Sequence, residues 1–156
     1  MKGISDLHAL LKQRTWDKEV LLWVGSEKPL VDACGLTSHV ILDLLDLFDL
    51  DSLPLDDDET HNALCERLRR RLKAIPKRSE NRTILIVKSI GLLVRYSVGL
   101  KEFYDWFIGS HTVVALVLDG LPEDTQWPED VRCAPRHLFD YFAEAGMVSD
   151  IYGANN

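Results

Sequence analysis

The chain contains no apolar run approaching the roughly 20 residues that a membrane-spanning helix needs, so no segment reads as a span. Cysteine is scarce. Cys34, Cys65 and Cys133 are odd in number and far apart, which suits neither a disulfide framework nor a closed zinc site, so reduced structural thiols are expected. Positive charge is also in deficit, with 18 Lys+Arg against 25 Asp+Glu and a net charge of −7. That balance excludes a general phosphate-coating nucleic-acid binder, whose affinity comes from Lys and Arg neutralising phosphates. Any DNA contact has to be a local patch. Met1 to Leu11 lacks a basic start followed by an apolar stretch and a small-residue cleavage site, so no secretory signal is expected and the expected location is the cytoplasm. No internal repeat or low-complexity linker divides the chain, and a single domain over residues 1–156 is expected.

Catalytic motifs are missing as well. His8, His39, His61, His111 and His137 show no H-E-x-x-H or similar ligand spacing, and no G-x-S-x-G elbow occurs. Each histidine is expected to be structural or exposed. Cys34 and Cys65 have His39 and His61 as sequence neighbours, but nucleophilic catalysis needs a spatial base and an orienting group. No catalytic residue and no metal ligand set is therefore assigned.

What is present is a 46% hydrophobic, 28% charged mixture long enough to bury a core without disulfides or metal. Residues Ile4 to Arg14 place Ile4, Leu7, His8, Leu10 and Leu11 mainly on one helical face, with Ser5 as the expected cap. Glu19 to Gly25 is a continuous apolar run that stops at glycine, the pattern of a strand buried on both faces. A short helix is expected from Pro29 to Cys34 and a second strand over His39 to Asp43. The acidic-apolar segment Leu44 to Leu55 reads as a helical turn or two. Leu64, Leu68 and Leu72 form one stripe of a helix from Glu59 to Ile75. Arg82 to Lys88 reads as a central strand, Leu92 to Ile108 as one amphipathic helix, Thr112 to Asp119 as a further strand, and Arg136 to Ala145 as the last helix.

Strands that alternate with crossover helices imply a largely parallel sheet covered on both faces, a three-layer α/β domain. Ligands of such sheets bind beyond the carboxyl ends of the strands, where Gly25 to Lys28, Asp43, Lys88 to Gly91 and Asp119 to Gly120 are expected. The loop after Gly25 occupies the place of a phosphate-binding loop. The G-x-x-x-x-G-K-[ST] pattern needs glycines for a backbone cradle, a lysine for the outer phosphates and a hydroxyl for magnesium. Ser26 and Lys28 are the candidate phosphate contacts, but the second glycine and the Gly-Lys-Ser/Thr ending are absent. A plain strand-to-helix turn is the competing reading. Asp119 is placed like a magnesium-binding carboxylate at a strand end, although Asp-Gly is also a common turn.

Arg67, Arg69, Arg70, Arg71, Lys73, Lys77, Arg78 and Arg82 form a basic run that follows the acidic Asp43 to Glu59. With the leucine stripe facing the core, Arg69, Arg70 and Lys73 are expected near the solvent side, joined by Lys77. Such polarity suits charge-steered docking to another protein. The alternatives are two solvated faces that balance each other, or a DNA-contacting ridge without an aromatic platform. Trp127, in the loop Asp124 to Pro128, is a candidate interface anchor, as is any aromatic left exposed between Tyr96 and Phe107.

Arg82 to Gly91, the helix through Phe103-Tyr-Asp-Trp106, Thr112 to Gly120, Pro128 to Arg132 and Leu138 to Phe142 resemble, in their order, small accessory proteins of bacteriophage exclusion (BREX) defence systems. BrxF-type subunits are the nearest in length and tail, and BrxB-type subunits share the general strand-helix-strand pattern. The resemblance spans roughly residues 19 to 152. It implies a P-loop-NTPase-like fold and a subunit of a multi-protein anti-phage complex, working beside a large ATPase and DNA-modifying components. The loop after Gly25 departs from the family's phosphate-binding motif, which puts hydrolysis in doubt. A non-catalytic assembly or regulatory subunit is therefore the leading expectation. An ATP- and magnesium-binding subunit and a DNA-contacting accessory protein are the alternatives.

Overall fold

Continuous runs of Val, Ile and Leu have no polar face to give to water, so they become strands covered on both sides. Three such runs, Glu19–Val24, Thr83–Lys88 and Thr112–Leu118, are among the five strands of the computed structural model, which describes residues 1–13, 16, 19–35, 37–47, 56–75, 83–107, 111–119, 135–144 and 147–153. The strands are β1 (Glu19–Val24), β2 (Ser38–Asp43), β3 (Thr83–Lys88), β4 (Thr112–Leu118) and β5 (Asp150–Gly153). All four pairings are parallel and the order is β2-β3-β4-β1-β5. All seven residues of β4 are buried, which places it at the sheet's centre.

Alternate residues of β1, β3 and β4 feed two cores. Leu21, Trp23, Ile84, Ile86, Val113 and Ala115 pack with α1 (Ile4–Leu11) and α2 (Glu27–Cys34) on one face. On the other, Val20, Leu22, Leu85, Val87, Val114 and Leu116 pack with α3 (Asp57–Ala74), α4 (Gly91–Arg95), α5 (Lys101–Trp106) and α6 (Pro135–Phe139). The result is a three-layer α/β fold. The change of face follows from handedness. The β1-to-β2 crossover runs one way along the sheet and the later crossovers run the other, so right-handed connections must use opposite faces.

Local chemistry explains most boundaries. Asp56 caps α3 by accepting the Glu59 N–H at 2.7 Å, and Leu64, Leu68 and Leu72 are its buried stripe. Helix α2 starts at Glu27, with Ser26 as N-cap, rather than at Pro29. Pro29 sits in the first turn, where its missing N–H has no intrahelical acceptor to lose. Gly3, not Ser5, caps α1, and its N–H donates to Asp6 at 3.0 Å. The expected helix from Leu92 to Ile108 is two helices. Ser97 (φ 54°) and Gly99 (φ 70°) turn the chain between α4 and α5 through left-handed backbone, which no helix continues across. Leu44–Leu47 forms a 3-10 turn, and the rest of the expected turn to Leu55 lies outside the described residues. After α6 the chain widens into a π turn over Asp140–Glu144.

Strand β5 was not expected from the pattern. It carries only four residues, and β1 alone supplies its ladder on the inner side. On its outer side Lys2 bridges to Tyr152, with Lys2 N–H donating to Ile151 O and Gly153 N–H to Lys2 O, each at 2.8 Å.

Leu68 is fully buried among sheet and helix side chains. Leu68→Ala should lower the urea-unfolding free energy by about 2–5 kcal/mol, with unchanged m-value.

Candidate functional site

The crossovers diverge after β1 and β4, which lie side by side, so the crevice of this sheet opens at their carboxyl ends. The sequence-derived candidates Ser26 and Asp119 are both there. Gly25 N–H donates to Leu118 O at 2.9 Å, which extends the β1–β4 ladder by one residue. Gly25 has φ 140°, a backbone setting that needs glycine. Ser26 follows in an extended conformation, with its side chain making no cap bond and its carbonyl accepting from the buried indole Nε1 of Trp23 at 2.7 Å. Lys28 is exposed in the first turn of α2, and Asp119 is exposed directly after β4.

Only Gly25 and Ser26 join β1 to α2. A phosphate cradle needs a longer loop whose successive N–H groups point inward. Here one N–H and one carbonyl of the joint are already bound within the protein.

The rest of this edge is a charge cluster. Lys88, the last residue of β3, donates to Glu27 at 3.1 Å. That hydrogen bond and the Glu27 charge hold the Lys88 ammonium above its ordinary pKa, with smaller help from Asp43 and Asp119. Ser89 donates to Asp43 at 2.6 Å from a left-handed conformation (φ 60°), a strained setting for a residue with a side chain. A lysine ammonium thus stands among the three carboxylates that chemistry at this edge would use. Among the described residues, no group of three or more His, Cys, Asp or Glu is placed to hold a metal ion.

The basic ridge is less free than its sequence. Arg69 grips Glu102 of α5 with two bonds, Nε to Oε2 at 3.1 Å and Nη2 to Oε1 at 2.9 Å. Glu102 is only 7% exposed, so this bidentate pair is what allows a carboxylate there. Arg70 pairs with Glu66 one turn earlier, and Lys73 is exposed. Arg69, Leu72, Lys73, Glu102, Asp105 and Trp106 line a cavity of about 330 Å³ between α3 and α5. Lys77 and Trp127 lie outside the described residues. Of the aromatics between Tyr96 and Phe107, Trp106 is buried and Tyr104 is the exposed one at 39%.

Sequence reasoning did not find Glu27 or Glu102, whose partners are 61 and 33 residues away, and no local pattern announces such pairs. His8, His39, His111 and His137 are exposed. His61 points Nδ1 at Tyr96 O at 2.6 Å, with Nε2 3.8 Å from the Cys65 sulfur. Burial and the Glu102 charge push the Cys65 thiol up, which keeps it protonated and a poor nucleophile. Cys34 is buried in α2, donates to Leu30 O at 3.3 Å, and is pushed by burial up to about 11.

A thiol that ionises at its ordinary 9.0 when unfolded, but only near 11 when folded, withdraws stability as pH rises between those values. The Cys34 contribution to the unfolding free energy should therefore fall by about 2 kcal/mol from pH 9 to 11. Denaturant titrations of Cys34→Ala should lack that part of the slope. No protein-family model matches this chain, and no curated protein is similar enough to it to count as a relative.

Proposed function

We propose that the chain is a non-catalytic assembly or regulatory subunit with a P-loop-NTPase-like sheet, of the kind that serves multi-protein anti-phage (BREX-like) defence complexes beside a large ATPase. The observation that carries the non-catalytic part is the two-residue joint between β1 and α2, with its Gly25 N–H and Ser26 carbonyl already engaged. The nucleotide-hydrolase-like part rests on β1 and β4 lying side by side, which sets the joint after β1 against Asp119 after β4. The defence setting rests on the sequence resemblance alone. In the enzymatic alternative Ser26 and Lys28 contact phosphates while Asp119 or Asp43 positions magnesium. That version is favoured by Asp119 lying beside Gly25, and opposed by Lys88 standing in the midst of the carboxylates. The DNA-contacting alternative loses ground because Arg69 and Arg70 already carry carboxylate partners.

A ligand that binds only the folded chain raises its melting temperature once its concentration passes the Kd. Millimolar ATP with magnesium should leave the melting temperature unchanged, and a saturable rise would overturn the non-catalytic reading. Tagged protein captured from its native host should bring down a large ATPase. Arg70→Glu with Lys73→Glu should lose it, a choice that leaves the Arg69–Glu102 pair intact. Recovery of the tagged chain alone would sink the assembly reading.

A further inference from the structure

The two edges of the sheet are treated differently. The edge at β5 is closed by the chain's own Lys2. Among the described residues, the edge at β2 is not closed in this way. Among the described residues, β2 pairs with β3 alone, and nothing hydrogen-bonds along its outer side. It also lacks the usual protections of an exposed edge. Ser38-His-Val-Ile-Leu-Asp43 contains no proline, no lysine and no bulge, and Ile41 is 43% exposed.

We propose that β2 pairs antiparallel with β2 of a second copy of this chain, about a two-fold axis through Ile41 normal to the sheet, to give a continuous ten-stranded sheet. Symmetry restricts the choices. Such an axis keeps each face of the sheet on its own side, and residues opposite one another across an antiparallel ladder share a face. Val40 and Leu42 face the α3 side, where Leu42 is buried and Val40 packs on the same core. His39, Ile41 and Asp43 therefore face the α2 side. Paired residues must match in parity, which leaves an axis at Val40, Ile41 or Leu42. An axis at Val40 sets Ser38 against Leu42 and His39 against Ile41. An axis at Leu42 sets Ile41 against Asp43.

Only the axis at Ile41 matches like with like. It sets Ile41 against Ile41, Val40 against Leu42 twice, and His39 against Asp43 twice, so an apolar centre is flanked on one face by two pairs of complementary polar groups. Asp43 has room for this. Its bonds from Ser89 Oγ and Leu45 N both fall on Oδ1, which leaves Oδ2 for the second copy's His39. A five-pair strand interface is well below the ~1,200–2,000 Å² of a standard stable complex, so the association is weak and concentration-dependent, with Kd on the order of 10–100 μM. This dimer stands whether or not the subunit reading above holds.

Sedimentation velocity of the full chain from about 5 to 500 μM should show reversible dimer formation over that Kd range. Ile41→Lys should leave a monomer throughout, with unchanged circular dichroism, since position 41 is already half in water. His39→Asp, which sets carboxylate against carboxylate only in the dimer, should weaken it by about tenfold or more, whereas His39→Lys should not. Ile41→Cys should cross-link to itself under mild oxidation, because opposite Cα atoms about 4.5–5.5 Å apart accept a disulfide, while Ser38→Cys and the parent chain should not. A parent chain that stays monomeric at the highest concentration overturns the proposal, even if β2 proves to take a strand from some other protein. So does a dimer that ignores both Ile41→Lys and His39→Asp, because it would use another surface. Should Ile41→Lys fail to fold, the His39 pair and the cross-linking pattern decide alone.

Discussion

The fold depends on giving β4 cover on both sides. Thr112–Leu118 offers water nothing on either face, and only a sheet with a helical layer above and below can hold it. Two cores follow, one under α1 and α2 and one under α3 to α6. Filling both with right-handed crossovers forces the chain to leave β1 in one direction and to come back in the other. The crevice at the ends of β1 and β4 is a by-product of that reversal, and it exists whether or not anything binds there.

The joint between β1 and α2 at the crevice is fixed by Trp23. Its side chain lies wholly in the α1–α2 core, yet its indole N–H must find an acceptor, and the Ser26 carbonyl supplies one. That bond ties the start of α2 to the end of β1. The same tie explains why α2 begins before Pro29: the chain has turned and been fixed by Ser26, so the helix starts at the next residue. At the end of β3, Lys88 and Ser89 pair with Glu27 Oε1 and Asp43 Oδ1, while Glu27 Oε2 is buried without a hydrogen-bond partner among the described residues.

Much of the fold was legible because burial on both faces leaves an unbroken apolar run. Glu19–Val24, Thr83–Lys88 and Thr112–Leu118 announce themselves, as does the four-residue spacing of Leu64, Leu68 and Leu72. Asp150–Gly153 does not, since its strand state comes from the ladder that β1 offers and from Lys2 on the other side. The break between α4 and α5 was half legible. Gly99 weakens the pattern, but Ser97 in left-handed backbone carries no signature. The candidate site divides the same way. Ser26, Asp43 and Asp119 follow from strand ends, whereas Glu27 and Glu102 acquire meaning only when folding brings Lys88 and Arg69 to them.

Those distant pairs also change how the charge pattern works. Read along the chain, the basic stretch of α3 suggests a cationic surface. In the fold, Arg69 is bound to a buried carboxylate and Arg70 to an exposed one, so the first serves the packing of α3 on α5 and the second contributes little to either stability or field. Lys2 and Lys88 are likewise held by Asp150 and Glu27. Each ion pair cancels one cation against one carboxylate, so the net charge of −7 still sets the sign of the overall field. A partner drawn by long-range attraction should therefore be basic, and one drawn to α3 must recognise the few cations left there by close contact rather than by field.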